Sequence, residues 1–283
     1  MIVHMKLQLA GVPLGNPGDA SARLSEAIKS AEVIAAEDSR RFQRLCQDLG
    51  ISTEAKVLSF FEGNEDERTE QLLAELRNGV RVLVVTDAGM PTVSDPGFKL
   101  VRAAISAEIP VEVIPGPSAV TTALALSGLP TDRFCFEGFV PRTHGAREQF
   151  FENLKFEERT IIIFEAPHRL NDSLEVAKKI LGNDRKAALC REMTKTYEET
   201  VRGTLSELER WSKSKEILGE ITIVISGAIK EAKNLSQQQI INQVRKLESV
   251  GMHRKEAIAA VAAELDLPKR EIFDAMVASK SEG

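Results

Sequence analysis

Apolar and polar positions switch period repeatedly along the first half of the chain. Leu7–Ala10 reads as a strand. From about Ser21, Leu24, Ala27, Ile28 and Ala31 recur at helical spacing, which predicts an amphipathic helix. Val33–Ala36 is a short apolar run that ends in Glu37-Asp38, and a basic amphipathic helix is expected around Phe42 to Leu49, stopped by Gly50. Val57-Leu58 is a short strand, Glu67 to Asn78 a helix, Arg81 to Thr86 a buried strand, Phe98 to Ala107 a helix and Val111 to Ile114 a strand. This strand-helix order predicts a mostly parallel sheet with helices on both faces.

The pattern then restarts. Ser118 to Leu126 reads as a helix broken by Gly128-Leu129-Pro130. Strands are expected at Phe134 to Phe139, Thr160 to Phe164, Ala187 to Arg191, Thr196 to Val201 and Ile221 to Ile225, with helices at about Arg147 to Leu154, Arg169 to Leu181 and Leu205 to Trp211. Paired strands without an intervening helix predict a mixed, partly antiparallel second sheet. Phe134, Phe136 and Phe139 are read as one core face. From residue 235 onward three apolar stripes and two tight turns predict a helix-turn-helix-like unit. The expected domains are therefore 1–115, 116–230 and 235–283, the first two being α/β.

Composition narrows the class. The chain has 283 residues, 43% hydrophobic and 28% charged, enough for two cores of an ordinary globular protein. No apolar run is long enough for a transmembrane helix, and the N-terminus is too short and mixed for a signal peptide. Cys46, Cys135 and Cys190 lie far apart, so a disulfide framework and a metal site are not expected, and the reducing cytoplasm fits. The net charge of −5 requires that any contact with nucleic acid come from local basic groups.

Three loops follow strand ends, where open α/β sheets bind ligands. Gly11 to Asp19 is rich in glycine and proline but matches neither the dinucleotide fingerprint nor the Walker loop. Thr86 to Gly97 is long for a βα loop. In it Asp87 is placed to accept hydrogen bonds, and Asp95 reads as a turn carboxylate. Ile114 to Ala119 opens a helix, with Ser118 as its N-cap.

The segments VPLGNPGDAS, AAEDSRR, TDAGMPTVSDPGFKLV, PGPSAVTTALALSGLPTDRFCFEGFVPR, FEAPHRL and LCREMTKTYEE together resemble the tetrapyrrole-methylase-fold superfamily. They are most similar to the group within it that methylates a cytidine 2′-hydroxyl of small-subunit (16S) ribosomal RNA. The resemblance runs from about Lys6 to Ser226, and more loosely through the helical tail. Val12, Pro17 and Ser39 depart from the usual residues of that group.

The resemblance implies two α/β domains with S-adenosylmethionine in the cleft between them, a homodimer, and ribosomal RNA or the assembled small subunit as partner. Carried onto this chain, the cofactor would touch Pro13, Asp87, Ala88, Gly89, Ser118, Ala119, Phe164, Glu165, Ala166, Arg191 and Thr222. Candidates for proton transfer or substrate contact are Asp38, Arg40, Glu192 and Lys195, with Glu37 and Glu165 also in view. Arg41, Arg44, Arg142, His144, Arg147, His168 and Arg169 are candidates for the RNA side. The rival readings are a corrin or sirohaem-pathway methyltransferase and a non-catalytic ribosome-binding protein of the same fold.

Overall fold

A computed structural model of the chain describes residues 6–229, 236–265 and 267–281. They fall into two compact units, 1–228 and 229–283. The expected boundaries at 230 and 235 lie outside the described residues.

The first half of the larger unit builds β1 (Leu7–Ala10), α1 (Ala22–Ser30), β2 (Val33–Ala36), α2 (Ser39–Asp48), β3 (Lys56–Ser59), α3 (Glu65–Arg77), β4 (Val82–Val85), α4 (Phe98–Ser106) and β5 (Val111–Ile114). The strands form one parallel sheet in the order β3-β2-β4-β1-β5. The sequence explains which strands lie inside. VIAA of β2 and VLVV of β4 are buried throughout, whereas the edge strands β3 and β5 are partly exposed. The strand period of two separates the faces. Ile34, Ala36, Leu83 and Val85 join Leu24 and Ile28 of α1 and Phe42 of α2 in one core. Val33, Ala35, Val82 and Val84 join Leu72 and Leu76 of α3 and Leu100 of α4 in the other. Each fully buried aliphatic side chain stabilises this layering by about 1.5–3 kcal/mol relative to exposure.

The second half contains α5 (Ala119–Ser127), β6 (Phe134–Phe139), α6 (His144–Leu154), β7 (Thr160–Glu165), α7 (Leu170–Leu181), β8 (Lys186–Arg191), β9 (Glu199–Thr204), α8 (Leu205–Lys213) and β10 (Ile221–Ile225). Its sheet runs β6-β7-β10-β8-β9. Only the β6–β7 pair is parallel. Helix α5 covers one face through Val120, Ala123 and Leu124, against Ile162, Cys190 and Val224. Helices α6, α7 and α8 cover the other through Phe151, Leu174 and Leu208.

Two expectations fail here. The strand expected at Thr196 to Val201 begins three residues later, because the register pairs Arg191 with Glu199 and Cys190 with Thr200. The chain needs 192–198 to turn, and it does so with Glu192 and Thr194 at φ 51° and 65°. The Phe134, Phe136, Phe139 core face also fails. The β6–β7 register shifts between Phe136 and Phe139, and Phe139 is 55% exposed and Phe134 40%. Phe136 and Phe139 both stand edge-on to Phe164, at 4.7 and 5.4 Å between ring centroids.

The smaller unit consists of α9 (Gln237–Ser249), α10 (Arg254–Leu265) and α11 (Lys269–Ser281). Ser236 caps α9 by accepting the Gln239 N–H at 3.3 Å, and the Gln239 side chain accepts the Ser236 N–H in return. Ile240, Ile241, Val244, Ala257, Val261 and Ile272 bury a core of their own.

Candidate active site

The strand ends of the larger unit meet around a cleft of about 380 Å³, within the size range of ligand pockets. From the first sheet come Glu37 after β2, Asp87–Asp95 residues after β4, Ser118 to Val120 at the start of α5, and Leu14. The second sheet contributes Phe139, Phe164 to Pro167, Met193 and Gly219 to Thr222.

Backbone contacts fix these loops. Val12 and Gly89 exchange hydrogen bonds at 2.9 and 3.1 Å, which locks the first loop to the second. Gly89 sits at φ 75°, a conformation that glycine adopts without steric cost. Gly11 and Gly116 pack backbone to backbone, so that a Cβ on either would lie 2.7 Å from the other's main chain. Asn16 N–H donates to Thr194 Oγ1 at 3.2 Å. Five non-glycine residues of the described chain have positive φ, and Thr92, Ser94, Glu192 and Thr194 are four of them. All four lie in the two loops that approach the cleft from opposite sides, a clustering typical of strained functional sites.

The cleft is acidic. Glu37 and Asp87 interlock the ends of β2 and β4: Asp87 N–H donates to Glu37 Oε2, and Asp38 N–H donates to Asp87 Oδ1, both at 3.1 Å. Arg41 faces Asp87 at 3.4 Å. Burial raises the pKa values of both Glu37 and Asp87. Burial, with the neighbouring Glu37, Asp87 and Glu220 carboxylates, pushes Asp95 up to about 7.

Of the expected cofactor residues, Asp87, Ala88 and Gly89, Ser118 and Ala119, Phe164, Glu165 and Ala166, and Thr222 line the cleft. Pro13 and Arg191 are not among the lining residues. Pro13 is buried within the first loop. Arg191 pairs with Glu199 at 3.2 Å and donates to the Leu218 carbonyl at 3.2 Å. Ser118 starts α5, but its side chain makes no capping hydrogen bond. The helix N-terminus therefore presents N–H groups to the cleft.

Asp38, Arg40, Glu192 and Lys195 do not line the cleft. Asp38 caps α2 by accepting the N–H groups of Arg40 and Arg41 at 2.8 and 3.4 Å, which lowers its pKa. The Arg40 side chain stands in solvent, 3.4 Å from Asp38. Glu192 and Lys195 pair with each other at 2.9 Å, and Lys195 also pairs with Glu220 at 3.1 Å. The Glu165 carboxylate is turned inward, bonded to Ser173 and paired with Arg169 at 2.7 Å. Arg147, read as an RNA contact, is 4% exposed and donates to the carbonyls of Pro141 and Arg142.

The sequence reading missed Asp95, Phe139, Met193 and Glu220 as cleft residues. Only the length of the 86–97 loop gave a signal, and it pointed to Asp95 alone.

Comparison with known proteins gives a consistent picture. The family model for tetrapyrrole (corrin/porphyrin) methylases matches residues 6–209. The ribosomal RNA small subunit methyltransferase I of Mycobacterium tuberculosis is 46% identical over 278 residues, covering 98% of this chain and 96% of that protein. The protein of the same name from Thermotoga maritima is 42% identical over 222 residues, 78% of this chain and 98% of its own length. Among solved structures, a cobalt precorrin-4 methyltransferase superimposes with a TM-score of 0.60 at 20% identity, over 79% of this chain and 95% of that one.

Proposed function

The chain belongs to the tetrapyrrole (corrin/porphyrin) methylase family and within it to the ribosomal RNA small subunit methyltransferase I group; from that premise we propose that it methylates a cytidine 2′-hydroxyl of small-subunit ribosomal RNA with S-adenosylmethionine. The near-full-length likeness to the Mycobacterium tuberculosis protein carries this reading, because it spans every segment that lines the cleft. The tetrapyrrole alternative rests on fold alone, at 20% identity.

The cleft suits the methyl donor. Its carboxylates complement a sulfonium cation, the N-terminus of α5 offers N–H groups to a carboxylate, and Leu14, Phe164 and Met193 supply apolar surface. Asp87 to Gly89, Ser118, Ala119, Phe164, Ala166 and Thr222 would hold it. When bound, S-adenosylmethionine supplies a methyl carbon already activated for transfer. The protein's part is to align the acceptor oxygen behind that carbon and to keep water away. The interlocked Glu37 and Asp87 hold the floor rigid, and the Asn16–Thr194 bond keeps the two halves in register across it. Glu192, Lys195 and Glu220 form an ion-paired rim that fixes the 192–198 turn. A cytoplasmic location and a homodimeric state belong to the same reading.

The experiment is transfer of tritiated methyl groups to small-subunit particles, and to naked ribosomal RNA, from cells lacking the protein. One 2′-O-methylcytidine is expected. Methylation of a base, or transfer only to a tetrapyrrole, refutes the reading.

A further inference from the structure

The cleft lies between two sheets, so an acceptor nucleotide has to leave its stacked neighbours to bring its ribose there. The stacking it loses must be replaced by the protein. Aromatic side chains replace it for any base, because every base has a π-face. Among the described residues two aromatic side chains line the cleft, Phe139 and Phe164. Phe164 is half-buried, whereas Phe139 keeps 55% of its surface exposed.

Phe139 owes its place to a bulge. In a regular strand successive side chains alternate between faces, so Phe139 would share the face of Cys135, which packs in the core beneath α6, α7 and α8. Instead, the stretch from Phe136 to Phe139 on β6 pairs with the shorter stretch from Ile162 to Phe164 on β7. The extra residue is a β-bulge, a feature that re-aims side chains next to active sites. It turns Phe139 to the face of Phe136 and α5, where both rings meet Phe164. Val140 takes the core position instead and is 1% exposed. Gly138 permits the bulge with φ 72°. A Cβ there would only touch Ser94 Oγ at 3.8 Å, so the backbone conformation, not lack of space, calls for glycine. Val140 N–H donates to the Phe164 carbonyl, and Arg169 donates to the Val140 carbonyl, both at 3.1 Å. The bulge thus withdraws a large apolar ring from the core and holds it, half in solvent, in the cleft.

We infer that Phe139 is the surface on which the cytosine of the acceptor nucleotide stacks, an inference that rests on the ribose-methylation reading above. The position suits an RNA ligand. β6 is the edge strand of its sheet, so Phe139 lines the cleft on its outer side, whereas Thr222 and Met193 stand on β10 and just after β8, inside the sheet. Arg142, three residues on, is exposed and forms no ion pair with any described residue. Its guanidinium suits a phosphate beside the stacked base.

The test is methyl transfer to small-subunit particles from cells lacking the protein, at saturating S-adenosylmethionine. Phe139→Ala should lower kcat/KM for the particle by about 10-fold or more. Its calorimetric Kd for S-adenosylmethionine should stay within about 3-fold of wild type. Phe139→Leu, which keeps apolar bulk without a flat ring, should be nearly as poor as Phe139→Ala. Phe139→Tyr and Phe139→Trp should retain most of the wild-type value. Independently of turnover, particles reassembled from ribosomal RNA transcribed with 5-iodocytidine should, on irradiation with the wild-type protein, crosslink at Phe139, read by mass spectrometry of the joined peptide.

A wild-type kcat/KM in Phe139→Ala, while the wild type transfers normally, overturns the inference alone. So does full activity in Phe139→Leu, since apolar contact would then suffice. A matching loss of S-adenosylmethionine affinity in Phe139→Ala overturns it as well, because the ring would then serve the donor, and so do crosslinks that form only elsewhere. A wild type that transfers nothing to the particle overturns the ribose-methylation reading and the inference together.

Discussion

Asp95 is held at a cost to stability, and the sign of that cost can be measured. Its carboxyl has a folded pKa of about 7 against an ordinary value of 3.8. Between those values the folded chain binds a proton there that the unfolded chain has lost. Stability from this site is therefore full below about pH 4, falls as pH rises and is lost above about 7. Asp95→Asn removes that dependence. Its Tm should exceed that of wild type by a few degrees at pH 8, and the gap should close towards pH 4; scanning calorimetry across that range checks it. A gap that stays constant with pH would show that Asp95 is not perturbed. The sequence could not reveal this residue's setting, because Glu37, Asp87 and Glu220 reach it from three separate segments. The interlock of Glu37 with Asp87 is equally invisible to a linear reading, since it joins the ends of two strands about fifty residues apart.

Among the elements, the central strands were the most legible. β2 and β4 are continuous apolar runs because helices cover both faces of their sheet. The start of β9 was not legible. Residues 196–201 carry Thr, Tyr and Val, residue types common in strands, but the turn at 192–198 takes the first three of them. The fate of Arg147 was also hidden, since a basic residue in the first turns of a helix reads as surface until its carbonyl partners are known. Helix α4 owes its start to Glu65, which reaches across from α3. Glu65→Ala should cost about 1–3 kcal/mol by leaving two N–H groups without an acceptor. It should also weaken S-adenosylmethionine binding, because the 86–97 loop loses its anchor. Glu65→Gln, which keeps an acceptor oxygen, should recover most of both; urea denaturation and calorimetry read the two effects. Gly116→Ala tests the contact between the first and third loops. A methyl group there would meet the Gly11 main chain at 2.7 Å, and neither backbone is free to withdraw. The expected loss is about 1–3 kcal/mol of stability together with weakened donor binding, measured by the same two methods.

At the scale of the whole molecule, the two units have separate cores, and the cleft belongs entirely to the larger one. The Thermotoga maritima relative is too short to hold counterparts of both, since 222 matched residues make up 98% of it. A chain cut after Ala228 should therefore stay folded and bind S-adenosylmethionine as the full chain does. Its affinity for the small-subunit particle should drop, and the dependence of that affinity on salt should become shallower, as cations such as Arg245, Lys246, Lys269 and Arg270 are lost. Filter binding across a salt series measures both, and unchanged particle affinity would remove the smaller unit from substrate capture. The strand order β3-β2-β4-β1-β5 has a consequence for biosynthesis. β1 lies between β4 and β5, so Leu7 pairs with Val82 on one side and Val111 on the other. β1 therefore cannot be paired on both edges until residue 114 has been released. At about 5–20 residues per second that wait is roughly 5–20 s, during which β1 has at most β4 beside it. Nascent-chain proteolysis should show full protection of this strand only in chains long enough to have released β5, which makes the β1 segment a natural client for a ribosome-bound chaperone.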